Sequence, residues 1–268
     1  MDGLRFSYGD RKVLDGVSFG MDRGILSVLG PNGAGKSTLV KCLAGVHRPT
    51  SGTATFDGTD LLSGRARDGV RLSYMSQEPP NVTNMSVLEV MLLGLADGLS
   101  LSVRDEDLEK AYGPLEELGI DDLAYRPMNS LSGGQNQMVM IALCLVSDPD
   151  LIVLDEPMNN LDLRRELEMF DVMTRVTRGR GLTTVMVLHD VNFASRFSDR
   201  MVVLRDGAVY GEGTPAEVVT EDMLRDVYGV EAIVGTGSLG NPDVEPIRSV
   251  AKPTDGFRVV PDYPGNGT

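Results

Sequence analysis

The sequence predicts an α/β fold: a parallel sheet covered by helices, with a strand-rich start and a helical lobe inserted into it. Three observations carry this. Apolar strand-like runs and helical stretches alternate between residues 151 and 204. Residues 86–145 form a block with helical periodicity only. The first 30 or so residues read as short strands joined by turns.

Taken in order, Leu4, Phe6 and Tyr8 alternate with polar residues, and Gly9-Asp10 turns the chain. Val13-Leu14 and Val17-Ser18-Phe19 continue in strand-like composition. Ile25-Leu26-Ser27-Val28-Leu29 is a compact apolar run ending at a glycine, which suits a buried parallel strand. A helix is expected over 36–44. Thr53-Ala54-Thr55-Phe56 turns at Asp57-Gly58, and 70–75 is a second buried run. Val87, Val90, Met91 and Leu95 then fall on one helical face. The acidic start of 105–118 favours a helix N-terminus. Strands are expected over 151–154, 183–188 and 201–204, and helices over 164–177 and 191–197. Arg205-Asp206-Gly207-Ala208 reads as a hairpin turn. The globular part is expected to span residues 1–234, with the lobe at about 82–146. Residues 235–268 carry six glycines and five prolines and read as a poorly ordered tail.

Composition narrows the function. Of 268 residues, 41% are hydrophobic and 24% charged, as in a globular protein rather than a disordered one. The net charge is −14, which counts against nucleic acid held by cationic surface. Asp outnumbers Glu by 25 to 14, and Arg outnumbers Lys by 20 to 5. A solvated acidic surface is the plain reading of this skew, and adaptation to a salty cytoplasm the sharper one. The longest apolar run, 138–146, is nine residues, short of the roughly 20 that a membrane helix needs. Met1-Asp2-Gly3-Leu4-Arg5 lacks the cationic start and apolar stretch of a secretory leader. Cys42 and Cys144 read as buried small hydrophobes. The chain is therefore expected in the cytosol, or at a membrane through a partner.

Three motifs carry chemistry. Gly30-Pro31-Asn32-Gly33-Ala34-Gly35-Lys36-Ser37-Thr38 fits GxxxxGKST, between an expected strand and an expected helix. Glycines let the backbone wrap phosphates, and the amides with the helix start supply positive potential. Lys36 is placed to reach the β- and γ-phosphates, Ser37 to coordinate Mg2+, and Thr38 to lie near the α-phosphate. Leu151-Ile152-Val153-Leu154-Asp155-Glu156 is a buried strand delivering two carboxylates at its C-terminal end. Asp155 would hold Mg2+ through its water shell, and Glu156 would polarise an attacking water as general base. Leu131-Ser132-Gly133-Gly134-Gln135 opens a second helix with a second anion-binding start.

With these residues in place, the sequence resembles the ATP-binding cassette (ABC) ATPases over roughly residues 3–233. Their LSGGQ signature stands intact at 131–135, and Asp155 follows Ser132 by 23 residues. The resemblance implies a P-loop NTPase cassette with a RecA-like parallel-sheet core, an N-terminal antiparallel β subdomain and an inserted helical lobe. It implies ATP and Mg2+ as cofactors, with Ser37, Gln77 and Asp155 toward the metal. Tyr8 matches the residue that stacks on adenine. Gln77 matches the glutamine that senses Mg2+ and the attacking water. Asp162 matches the aspartate of a loop crossing the dimer interface, and His189 the switch histidine at the γ-phosphate. His47, beside Arg48-Pro49, reads instead as a surface or helix C-cap residue.

The resemblance also implies a homodimer with ATP sandwiched between the phosphate loop of one chain and Ser132, Gly133 and Gly134 of the other. Asp190-Val191-Asn192-Phe193-Ala194-Ser195-Arg196-Phe197-Ser198-Asp199-Arg200 is similar to a run in the importers for iron–siderophores, haem and cobalamin. Membrane permease subunits would then dock on the helical lobe, an extracytoplasmic binding protein would act indirectly, and the chain would sit at the cytoplasmic face of the membrane. Import of a metal ion or polar amino acid is the alternative. A soluble ABC ATPase acting on ribosomes or DNA is a different class, which usually carries two cassettes or a coiled-coil insertion. Met138 and Leu143 stand where the family typically has arginines.

Overall fold

A computed structural model describes residues 1–62, 69–77, 84–95, 103–159 and 161–250. Strands β1 (Asp2–Tyr8) and β2 (Arg11–Val17) pair antiparallel. Strand β3 (Gly24–Leu29) leads through residues 30–35 into α1 (Lys36–Leu43). Next, β4 (Ser51–Thr53) pairs with β1 and completes a three-stranded sheet. Strands β5 (Thr55–Phe56) and β6 (Thr59–Asp60) form a small hairpin about Asp57 and Gly58. After β7 (Leu72–Met75) come the lobe helices α2 (Val87–Gly94), α3 (Asp105–Leu118) and α4 (Gly133–Leu145). Then β8 (Leu151–Asp155), α5 (Leu163–Arg180), β9 (Thr183–Val187), α6 (Val191–Phe197) and β10 (Arg200–Arg205) alternate. Strand β11 (Ala208–Gly213) and the short α7 (Pro215–Val218) and α8 (Glu221–Met223) follow.

The main sheet has the order β11-β10-β3-β9-β8-β7. Its inner pairs are parallel, and β11 is an antiparallel edge strand. The β10–β11 turn has positive φ at both Asp206 (50°) and Gly207 (80°), the geometry of a primed hairpin turn. Alternation in β3 and β8 divides the core. Ile25, Leu29, Ile152 and Leu154 face the lobe, α5 and α6; Leu26, Val28, Leu151 and Val153 face α1 and the antiparallel sheet. Both faces are covered, which is why these strands read as nearly continuous apolar runs, with Ser27 the one polar residue in their interior.

Named contacts fix the lobe to the sheet. Helix α2 starts in a capping box, Ser86 with Glu89. Arg180, at the end of α5, donates to the Glu117 carboxylate of α3 (3.1 Å) and to the Leu145 carbonyl of α4 (3.4 Å). Among the described residues, no helix is long and apolar enough to cross a membrane.

The expected loose tail from residue 235 is corrected by the structure as far as residue 249. Strands β12 (Val230–Thr236) and β13 (Pro242–Ser249) form an antiparallel hairpin packed on α6. Of the glycines and prolines that suggested a loose tail, Gly235, Gly237, Gly240, Pro242 and Pro246 lie in this hairpin, and the other six lie outside the described residues. Gly237 donates to the Asn241 carbonyl (2.7 Å), and Pro242 opens β13. Asn192 of α6 grips the hairpin backbone twice: its Oδ1 accepts from Val244 N–H (2.7 Å) and its Nδ2 donates to the Val244 carbonyl (3.1 Å). Ser195 Oγ donates to the Pro242 carbonyl (2.7 Å). Residues 251–268, the rest of the expected tail, lie outside the described residues.

Asn192→Ala leaves both Val244 groups without that partner. The expected cost is about 1–3 kcal/mol, read as a lower urea midpoint, with earlier proteolytic release of the hairpin. An unchanged midpoint would remove Asn192 as the clasp.

Candidate active site

The functional side chains stand at the C-terminal ends of four adjacent parallel strands. Along the sheet these are β3 with the phosphate loop, β9 with His189, β8 with Asp155 and Glu156, and β7 with Gln77. This is the edge where an open α/β sheet binds its ligand.

The phosphate loop needs its glycines. At Gly30 (φ 140°) a Cβ would lie 2.3 Å from the Leu204 carbonyl oxygen. At Gly35 (φ 101°), the N-cap of α1, it would lie 2.8 Å from Leu14 Cδ2. Lys36 is buried, and its Nζ donates to the carbonyls of Gly30 (2.7 Å) and Pro31 (3.1 Å). Burial lowers its pKa, while the nearby charges of Glu156 and Asp155 support its protonation. Thr38 is buried in the first turn of α1.

Asp155 is only 1% exposed, and among the described residues neither carboxylate oxygen has a well-formed hydrogen bond, although the Ser37 and Tyr74 hydroxyls lie near it. Burial raises its pKa; the nearby Ser37 hydroxyl and the Lys41 and Lys36 charges pull it back down. A buried carboxylate without a well-formed hydrogen bond, beside a serine hydroxyl and a phosphate loop, fits a hard cation with oxygen ligands. Ser37 and Asp155 would hold Mg2+, whose charge would neutralise phosphate oxygens when bound. Tyr74 on β7, with its hydroxyl also buried and unpartnered, has its pKa pushed up to about 12 by burial, with the Asp155 charge adding to it.

Glu156 is the hub. It takes a left-handed backbone (φ 54°), unusual for a non-glycine residue, at the turn that leaves β8. Its Oε1 lies 2.6 Å from His189 Nε2. Its Oε2 accepts from Gln77 Nε2 (2.7 Å) and from Asn159 Nδ2 (2.6 Å). The structure thus brings together Gln77, Glu156 and His189 as the sequence expects. It adds Asn159, three residues beyond Glu156, which sequence reasoning passed over because an amide in a polar turn carries no motif. A carboxylate held by three groups presents a fixed lone pair to a water, which is what a general base requires.

The remaining expected residues lie elsewhere. Ser132 caps α4: Gln135 N–H donates to its Oγ (3.3 Å), and Gln135 Oε1 accepts from Ser132 N–H (3.0 Å). Gly133 faces open space, and Gly134 lies against Arg165 and Leu161. Among the described residues, no hydrogen bond joins Ser132, Gly133 or Gly134 to the phosphate loop, Asp155, Glu156 or His189. Gln137, two residues beyond Gln135 on α4, donates to the Pro157 carbonyl next to Glu156. Asp162 caps α5, accepting from Arg165 N–H (2.9 Å). Tyr8 is half exposed at the end of β1, edge-on to Phe6. His47, read from sequence as a surface or helix C-cap residue, is half-buried just past the end of α1, where its N–H donates to the Lys41 carbonyl (3.1 Å); its ring also stacks on Phe6 (centroids 5.1 Å apart), with its Nε2 2.7 Å from Tyr8 Oη. Both cysteines are buried, and burial pushes their thiols up to about 12.

The buried Asp155 generates a signed prediction. Its pKa in the folded chain lies above the unfolded value, so the strain is absent at low pH and grows as pH rises through the folded pKa. Asp155→Asn is therefore expected to raise Tm in metal-free buffer at pH 8, on the order of 2–4 °C, with the gain shrinking once pH falls below the raised folded-state pKa. Mg2+-dependent ATP hydrolysis is expected to fall by about 100-fold or more. A lower Tm for the variant at pH 8 would show that the carboxylate is already compensated.

Residues 14–159 match the family described as ABC transporter. An uncharacterised ABC transporter ATP-binding protein of Methanocaldococcus jannaschii is 37% identical over 92% of this chain and 97% of its own. The iron(3+)-hydroxamate import ATP-binding protein of Bacillus subtilis is 35% identical, covering 90% and 91%. A hemin import ATP-binding protein of Rhodopseudomonas palustris is 34% identical, covering 91% and 93%. Among solved structures, an inward-facing transporter described as of metal-chelate type aligns with a TM-score of 0.79 at 25% identity, over 92% of this chain and 96% of that one. A dimeric bacterial ABC transporter cassette aligns at 0.70 with 26% identity, over 80% and 97%. The strand-end site and these likenesses agree: the chain belongs to the ATP-binding cassette ATPases of ABC transporters.

Proposed function

We propose that this cassette is the ATP-hydrolysing motor of an importer for an iron–siderophore, haem or a related chelate. The single observation that carries the motor reading is the divided site. One chain gathers Gln77, Asn159 and His189 around Glu156, while among the described residues its signature start, Ser132 to Gly134, is hydrogen-bonded to none of them. A second copy, arranged head to tail, completes each site. Lys36, Ser37 and the loop amides grip the phosphates. Glu156, held by Gln77, Asn159 and His189, takes a proton from the attacking water. The partner's signature helix start closes on the terminal phosphate, so bound ATP favours the closed pair and hydrolysis releases it.

The chelate-import reading is supported by the hydroxamate and hemin relatives and by the metal-chelate type neighbour. Permease subunits would dock on the helical lobe, where Leu93, Val103, Leu108 and Tyr125 are exposed apolar residues. Such docking would hold the chain peripherally at the cytoplasmic face. A binding protein would act only through the permease.

Glu156→Gln keeps the shape of the side chain and removes its basicity. Hydrolysis is expected to fall by about 10²–10⁴, while saturating ATP shifts the chain to a dimer in size-exclusion chromatography. A monomeric profile under those conditions would sink the divided-site mechanism. Stimulation of ATPase activity by permease plus loaded binding protein, and none by ribosomes or DNA, is expected of the importer.

A further inference from the structure

The first residue of the phosphate loop is held by the far end of the chain. Tyr228 closes a π-type turn (Leu224–Tyr228) just before β12, and its side chain packs against the core that α5 and α6 also cover. Its hydroxyl accepts a hydrogen bond from Gly30 N–H at 3.0 Å, across 198 residues of sequence. Burial pushes the Tyr228 phenol up to about 12, so the hydroxyl stays neutral at ordinary pH.

Gly30 is thus constrained on three sides. Tyr228 holds its amide, the Leu204 carbonyl at the end of β10 closes the space at its α-carbon, and Lys36 Nζ holds its carbonyl. The Gly30 amide precedes the run of amides that face phosphate in this type of loop, so the Tyr228 bond does not compete with nucleotide. It fixes the orientation of the peptide from which the loop departs. The downstream amides converge on phosphate only if that departure is correct, so loosening it weakens the grip on every nucleotide that carries the shared phosphates.

We infer that Tyr228 is a positioning residue for nucleotide binding, through which the C-terminal segment sets the shape of the phosphate loop. This rests on the reading of residues 30–38 as the nucleotide loop. The same segment touches the site's surroundings a second time, because β13 is bonded to α6, the helix that follows His189 and Asp190.

Tyr228→Phe in the full chain removes one oxygen and keeps the ring. Expected is a weakening of both ADP and ATP binding by about threefold to tenfold, with KM for ATP rising alike. The expected kcat at saturation changes by less than about twofold, and Tm falls by about 2–4 °C because the buried Gly30 N–H loses its partner. Tyr210→Phe is the control: Tyr210 bonds Asp226 of the same segment (2.8 Å) but does not reach the loop. It should leave nucleotide affinity unchanged. Lys36→Ala tests the underlying reading and should abolish binding. If Lys36→Ala still binds ATP normally, the loop assignment fails. If Lys36→Ala loses binding while Tyr228→Phe matches the wild type, only the Tyr228 inference fails. Equal losses in the Tyr228 and Tyr210 variants, or a fall in kcat with KM unchanged, also overturn it. Should Tyr228→Phe not fold, hydrogen exchange in the wild-type chain decides. Gly30 N–H protected like Leu29 supports the bond, and exchange as fast as Asn32 overturns it.

Discussion

Everything at this site depends on the parallel register of three strands. Met75 stands opposite Leu154, and Asp155 stands opposite Val187. That alignment ends β7, β8 and β9 at one level, so Gln77, Glu156 and His189 emerge close enough to share a single carboxylate. Side chains alternate along a strand, so a slip of one residue in β8 would turn Asp155 to the opposite face. The apolar residues that hold the register are buried on both sides of the sheet. Packing energy far from the phosphates therefore fixes hydrogen bonds of 2.6–2.7 Å at the catalytic end.

Electrostatics follow from the same frame. The chain carries a net charge of −14, yet it offers an anion site. The site draws little on net charge. Backbone amides, the start of α1 and the buried Lys36 supply its positive potential, in a low-dielectric setting where nearby groups outweigh distant surface charge. Asp155 shows the complementary arrangement. A buried carboxylate lacking well-formed hydrogen bonds is costly alone and is suited to accept a cation's field.

How much of this was legible in the sequence depended on distance along the chain. The phosphate loop, the Asp155-Glu156 strand end and the signature each announce themselves within nine residues, because backbone geometry and side-chain chemistry are set locally there. The β10–β11 turn was readable for the same reason. Contacts made by single polar side chains across the fold were not. Asn159, Gln137 and Tyr228 are ordinary residues until folding sets them beside Glu156, the Pro157 carbonyl and the Gly30 amide. The ring contacts of His47 were not readable either, because its partners, Phe6 and Tyr8, lie on β1 some 40 residues earlier in sequence. The C-terminal hairpin was missed because glycine and proline content reports backbone propensity, whereas Asn192 and Ser195 hold that backbone by tertiary bonds.

The bond from Gln137 to the Pro157 carbonyl has a wider consequence. Gln137 lies just over one turn along the helix that Ser132 begins, and Pro157 directly follows Glu156. In a head-to-tail pair, the helix that seals one chamber is therefore tethered to the base of the opposite chamber. Any tilt of α4 driven at one nucleotide would then be felt at the other, and reciprocity would make the effect mutual: each chamber's occupancy would change the affinity of its twin by the same factor.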